Sequence, residues 1–256
     1  MMKPLVLANI HKSFEAGTEH EKQILTQFNL QLNQGDFVTV IGSNGAGKST
    51  LMGLISGAIQ ADQGEIYLDG QNVTTWNATQ RSALIGNVFQ DPRMGTATRL
   101  TIEENLAIAL RRGLPRGLKR ALTSTNRAQM QSVLQNLGMG LENRLSSEVR
   151  TLSGGQRQAL TLLMAILREP KILLLDEHTA ALDPKTSERI LELTQQLVEQ
   201  YQLTTLMITH NLRDALRFGN RLIMLHQGKI VLDISNEEKK QLTEAQLIQL
   251  FMQHSL

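Results

Sequence analysis

DFVTVIGSNGAGKSTLMGLISGAI, Asp36 to Ile59, is the stretch on which the fold turns. Phe37 to Ile41 is an almost continuous apolar run, as expected of a parallel strand buried on both faces. The next nine residues, Gly42, Ser43, Asn44, Gly45, Ala46, Gly47, Lys48, Ser49 and Thr50, match the phosphate-loop pattern in full. Its glycines let the backbone wrap a phosphate closely and take angles closed to side chains. Lys48 can reach the β- and γ-phosphates, and the Ser49 hydroxyl can ligand Mg²⁺. KSTLMGLISGAI then reads as a helix. Strand, glycine loop and helix in this order predict a nucleotide site in an α/β fold.

Working outward, KILLLDE and TTLMITH are two further apolar runs of the buried parallel type, each closing on polar residues. That is where α/β sheets place their chemistry. Asp176, ending the first run, can hold the magnesium water shell, and Glu177 beside it can take a proton from an attacking water. Two such carboxylates suit phosphoryl transfer to water better than to a bound acceptor, for which no second binding motif is visible. PLVLANIHKSF and ILTQFNLQLNQGDFVTVIG alternate apolar and polar residues and read as strands. GEIYLDGQNV reads as a hairpin turning at Asp69-Gly70, RLIMLHQGKIVLD as another, and LTEAQLIQLF as a terminal helix. Between Asp91 and Arg150 the spacing becomes helical, in TIEENLAIALRRG and RAQMQSVLQNLGM, with no buried strand between. The expected organisation is a core from residues 1–90 and 151–235 with a β subdomain, an inserted helical subdomain at 91–150, and a C-terminal helical tail at 236–256. EEKK, Glu237 to Lys240, is expected to be a solvated helix face.

TLSGGQRQAL, Thr151 to Leu160, raises a question. A serine and two glycines at a helix start make a second anion cradle, because free N–H groups and the positive helix end favour phosphate. A chain with one phosphate loop has no evident use for it.

Composition bounds the rest. The chain has 256 residues, 41% hydrophobic and 20% charged, which supports one large α/β unit with a sizeable core. It has no cysteine, which excludes disulfides, thiol chemistry and cysteine-ligated metal. Apolar runs such as KILLLD fall far below the roughly 20 residues of a membrane helix, and the N-terminus is too short in apolar residues for a signal peptide. A soluble chain that stays where it is made is expected. A net charge of +2 lacks the clustered excess of a nucleic-acid binder. The one basic cluster, Arg111 to Arg120, reads first as a solvated loop and second as a surface near anionic lipid or a membrane partner.

GSNGAGKST, Gln90 in NVFQDP, LSGGQRQ, ILLLDEHTAALD and MITHN resemble, in order and spacing, the ATP-binding cassette proteins, from roughly Leu5 to Asp233. LSGGQRQ is the specific element. The resemblance implies a P-loop NTPase (RecA-like) core with an antiparallel β subdomain and an inserted helical subdomain. It also implies an answer to the question of the second cradle. Two such domains face each other head to tail, and Ser153, Gly154, Gly155 and Gln156 of one would hold the γ-phosphate on Lys48 of the other. ATP would join the pair and hydrolysis release it.

On the same resemblance, Gln90 would touch Mg²⁺ and the attacking water, and His210 would contact the γ-phosphate and steady Glu177. Phe14 would stack on adenine, where the family often has Tyr, and Asp183 would lie on a loop crossing between subunits. Two positions depart from the family pattern. His178 stands where proline is usual, read here as a tolerated loop substitution without metal or base chemistry, and Ala180 replaces a frequent serine.

The implied function is the ATPase subunit of a transporter, a homodimer beneath separate membrane permease subunits, cytoplasmic and peripheral on the inner face of the cell membrane. A coupling helix would dock between Gln90 and the segment around Asn105. GNVFQDPRMGTATRLTIEENL resembles ATPase subunits of uptake systems served by a solute-binding protein, for amino acids or similar small solutes. A cassette ATPase acting on ribosomes or DNA is the rival reading, set back by the lack of a second cassette or long coiled coil. A small-molecule kinase is a third, opposed by the signature and His210.

Overall fold

The computed structural model describes residues 3–15, 17–114 and 122–255. Strands β1 (Leu5–Phe14) and β2 (Lys22–Leu32) precede β3 (Phe37–Gly42) and helix α1 (Lys48–Ser56). The hairpin of β4 (Gln63–Leu68) and β5 (Gln71–Asn72) follows, then α2 (Ala78–Arg81) and β6 (Ile85–Val88). Helices α3 (Ile102–Leu110) and α4 (Ser124–Gln135) lead to α5 (Gly154–Ile166), β7 (Ile172–Asp176), α6 (Pro184–Gln200) and β8 (Thr205–Ile208). The chain closes with α7 (Leu212–Arg217), β9 (Arg221–His226), β10 (Lys229–Ser235), α8 (Asn236–Gln241) and α9 (Glu244–Ser255).

Two sheets result. The first is antiparallel, ordered β2-β1-β4-β5, and the second is ordered β10-β9-β3-β8-β7-β6. In the second, β9, β3, β8, β7 and β6 run parallel and only β10 is antiparallel. Its apolar runs are continuous because alternate side chains enter different cores. Val38, Val40, Ile172, Leu174, Leu206 and Ile208 pack with the antiparallel sheet and α1, whereas Leu173, Leu175 and Met207 pack with α3 to α6. Both hairpins turn where expected, at Asp69-Gly70 (φ 50° and 79°) and at Gln227-Gly228 (φ 45° and 74°), each pair left-handed as a two-residue hairpin turn requires.

Three features depart from the sequence reading. Strand β6 is short and carries Gly86 and Asn87, so no periodicity marks it. Gly86 is needed because a Cβ there would meet the Ala165 carbonyl oxygen at 2.5 Å. Lys239 corrects the expectation of a solvated EEKK face. Glu237, Glu238 and Lys240 are exposed, but Lys239 is buried. Its ammonium donates to the carbonyls of Phe218 and Gly219, just past the end of α7 where a cation is favoured, and burial lowers its pKa to about 8. Arg81, fully buried, donates to the carbonyls of Leu54 and Ile55 in the last turn of α1 and to those of Val73 and Thr74 after β5. It therefore ties the helix behind the phosphate loop to the antiparallel sheet. Within the basic cluster, residues 115–121 lie outside the described part, while Arg112 Nη2 donates to the Ala165 carbonyl at 2.6 Å.

Candidate functional site

Four of the five parallel strands, β3, β8, β7 and β6, end side by side, with Asp176 level with Ile208 and Val88 level with Leu175. Beyond these ends come the glycine loop, His210, Glu177 and Gln90. Sequence neighbours of the sheet edge thus become spatial neighbours at one rim.

The glycine loop is shaped from outside as well as by its own residues. Gly47 caps α1 at φ 103°, and a Cβ on it would meet Leu25 and Ile24 of β2 at 3.2 and 3.5 Å. From the other side the Gly228 N–H donates to the Ala46 carbonyl at 3.1 Å. Lys48 is 9% exposed, and its ammonium donates to the carbonyls of Gly42 (2.7 Å) and Ser43 (2.9 Å). Burial lowers its pKa, against the opposing pull of the Glu177 and Asp176 charges. Burial raises the pKa of Asp176, reinforced by Glu177 and offset by Lys48. One ammonium and two carboxylates therefore share one electrostatic environment. Ser49 and Thr50 stand in the first turn of α1, and Ser49 is exposed.

Glu177 takes φ 43°, a left-handed angle uncommon outside glycine, and is held there by its N–H to the Ile208 carbonyl and by a turn closed from Ala180 N–H to its own carbonyl. Its Oε2 lies 3.2 Å from His210 Nδ1. A proton on Nδ1 orients that carboxylate. Gln90 is exposed two residues past β6. Among the described residues no group of three or more His, Cys, Asp or Glu could hold a metal ion. Ser49, Gln90 and Asp176 offer only a few hard oxygen donors, a set that fits Mg²⁺ held jointly with substrate phosphates and water.

His178 lies in the turn between β7 and α6, as the sequence suggests, but that turn buries it. It is 2% exposed, and its Nε2 lies 3.1 Å from Thr194 Oγ1. Thr194 spends its one hydroxyl proton on the Ile190 carbonyl at 2.7 Å, so Nε2 carries the hydrogen, and burial keeps Nδ1 unprotonated and the ring neutral. Burial lowers its pKa to about 4. With Glu177, His210, Asn211 and Asp214 it lines a cleft of about 230 Å³.

The signature residues pack on neighbours other than those of the loop. Ser153 caps α5 by accepting from Gln156 N–H, and Gln156 Oε1 accepts in return from Ser153 N–H, both at 3.2 Å. Gly154 faces Leu182, and a Cβ on Gly155 would meet Thr186 at 2.4 Å. Asp183 Oδ1 accepts from Thr186 N–H at 3.1 Å and caps α6. Phe14 is 40% exposed at the end of β1, whose Lys12 pairs with Leu25, the residue packed on Gly47. Two groups bearing on the site had no signal in the sequence. Asp62 beside Phe14 and Gly228 on the loop come from segments whose local pattern shows only turns.

A glycine loop with its lysine, and a carboxylate pair at the end of a nearby parallel strand, define a P-loop nucleoside triphosphatase. The family model described as ABC transporter matches residues 25–180. The chain is 44% identical to a tyrosine transport ATP-binding protein of Clostridioides difficile, over 96% of this chain and 98% of that one. It is 36% identical to a thiamine import ATP-binding protein of Photorhabdus laumondii, over 84% and 87%. A solved cassette in a dimeric, post-hydrolysis state bound to ADP and Pi superposes with a TM-score of 0.75 at 30% identity, over 90% of this chain and 98% of that one. The chain belongs to the ABC transporter family, as its ATP-binding and ATP-hydrolysing component.

Proposed function

We propose that this chain is the ATPase subunit of an uptake system for tyrosine or a similar amino acid, working as a homodimer against separate membrane permease subunits on the inner face of the cell membrane. A solute-binding protein would deliver the solute to the permease. Glu177 acts as the general base toward the attacking water, and His210 holds its carboxylate and meets the γ-phosphate. Lys48 and the N–H groups of Gly42–Thr50 bind the phosphates, and Phe14 receives the base. Ser49, Asp176 and Gln90 would hold Mg²⁺, which when bound supplies charge neutralisation on the phosphate oxygens. Ser153, Gly154, Gly155 and Gln156 complete the partner's site across the dimer, and Asp183 stands at that junction.

The observation that carries this reading is that the phosphate loop and the signature helix start pack on different neighbours within one chain. The phosphate loop packs on Ile24, Leu25 and Gly228, the signature on Leu182 and Thr186. Similarity along almost the whole of a tyrosine transport ATP-binding protein supports the solute class. Among the described residues no helix is long and apolar enough to cross a membrane, which fits separate permease chains.

The docking surface is sought between Gln90 and the segment around Asn105. Asn105 is buried, fastening the loop before α3 through Ala97. We place it on a groove of about 650 Å³ along the same helix, lined by Asn87, Ile108, Arg111, Leu114 and Met164. Ile108 and Leu114 are exposed there, and an amphipathic permease helix would cover them.

The test is to purify the tagged chain from gently solubilised native membranes and identify what accompanies it. A stoichiometric polytopic protein is expected, and the reconstituted pair should accumulate labelled tyrosine with ATP. Recovery only from the soluble fraction with ribosomal or DNA-repair proteins would leave the ATPase standing and sink the transport reading.

A further inference from the structure

At the end of β1 a single residue, Asp62, grips three consecutive residues, two through its carboxylate and one through its N–H. Asp62, just before β4, accepts from Lys12 Nζ through Oδ1 and from the Ser13 N–H through Oδ2, both at 2.6 Å. Its own N–H donates to the His11 carbonyl at 2.9 Å. The Lys12 ammonium lies 5.5 Å from the centroid of the Phe14 ring, and Phe14 remains 40% exposed.

The strand needs such a grip. Against β4 the register of β1 breaks between Ala8 and His11, with Asn9 at φ 50°, and against β2 it shifts again between Ile10, Lys12 and Ser13. Beyond these irregularities Ser13 and Phe14 pair with Gln23 and Lys22 of β2, but the ladder to β4 ends at His11, so one edge of the strand end is unpaired. Asp62 stands in for the missing pairing to β4, and Lys12 carries its hold on to the ring, over which its ammonium lies. Strand β2 links this cluster to the phosphates, since Lys12 pairs with Leu25 and Leu25 packs on Gly47.

We propose that Asp62 and Lys12 are positioning residues for nucleotide binding, holding Phe14 as a platform with the ammonium on one side of its ring and the base of the nucleotide on the other. The proposal rests on the base-stacking reading of Phe14 given above. A ring fixed in advance loses less freedom on stacking, and a cation against it is attracted by the ring's own charge distribution. The ligand class is a nucleotide with a stacked base, and the pair acts on the base end alone.

The test separates the two ends of the nucleotide by calorimetry on the full chain, with ADP as one probe and inorganic tripolyphosphate, which has no base, as the other. Phe14→Ala is expected to weaken ADP by about 10-fold or more, the scale of one base stacked on an aromatic ring. Asp62→Asn and Lys12→Met should each weaken ADP by about 3- to 10-fold, the scale of a cation–π contact. All three should bind tripolyphosphate as the parent does, which also reports that the phosphate loop is folded. Adding Asp62→Asn to Phe14→Ala should cost nothing further, because the carboxylate acts through the ring. If Phe14→Ala binds ADP normally, the stacking reading fails and the proposal with it. If Phe14→Ala weakens ADP but Asp62→Asn and Lys12→Met do not, stacking stands and the positioning role is overturned. Equal loss of ADP and tripolyphosphate in Asp62→Asn would also overturn it, by showing that the carboxylate only braces the sheet.

Discussion

Replacing His178 by glutamine should make the protein less sensitive to acid. The ring is buried and its pKa is lowered to about 4, against 6.5 for an ordinary histidine. A base whose pKa falls on folding is neutral in the folded state while the unfolded chain already binds a proton. Its contribution is whole above about pH 6.5 and is lost as the pH falls toward 4. Between about pH 7.5 and about pH 5 the linkage removes about 2 kcal/mol of stability. Glutamine can donate to Thr194 Oγ1 as the histidine does but has no proton to gain. Urea unfolding, read by the single tryptophan, Trp76, packed at the edge of the core, measures both proteins at both pH values. Groups that titrate in both proteins cancel in the comparison. The variant should lose about 2 kcal/mol less than the parent on acidification. Equal losses would show that His178 is not held neutral on folding.

Lys48→Ala should abolish measurable ATP binding in calorimetry, since the ammonium is the one cation beneath the loop's carbonyls; undiminished affinity contradicts its role. Glu177→Gln should accumulate an ATP-bound dimer in size-exclusion light scattering, because hydrolysis stops while both cradles stay filled, and a monomer at saturating ATP counts against the composite site. His178→Pro should keep ATP hydrolysis within about 100-fold of the parent, a smaller loss than removal of a general base, since its ring is spent on Thr194. Arg81→Leu strips the donors from four carbonyl oxygens and should cost about 3 kcal/mol or more in urea unfolding; a loss under about 1 kcal/mol would mean water replaces the guanidinium.

Legibility in the sequence followed how local each cause is. Strands β3, β7 and β8 announced themselves because burial on both faces leaves no polar alternation, and the turns at Asp69-Gly70 and Gln227-Gly228 because left-handed angles demand particular residues. The residues now found along one rim were readable since each closes a strand or opens a helix. What failed to show depends on partners distant in the chain. Lys239 sits in a run that reads as solvated, and only the carbonyls after α7 make burial tolerable there. Arg81 needs the end of α1, and His178 needs Thr194 on α6. For Asp183 the resemblance implied a loop between subunits, whereas its bond to Thr186 N–H, which caps α6, is a separate local fact. Strand β6 was hidden by its own glycine, required by the close approach of the Ala165 carbonyl.

The central place of β3 bears on how the protein is made. Its two ladder partners are β8 and β9, which begin at Thr205 and Arg221, and the Gly228 turn that steadies the phosphate loop comes later still. While the ribosome is adding the first two hundred or so residues, the strand bearing the loop has neither neighbour, although its loop sequence has long since emerged. Pairings so distant along the chain close slowly. A nascent chain halted before Thr205 therefore leaves an apolar strand open on both edges. Nucleotide can be gripped as in the finished protein only when synthesis is nearly over.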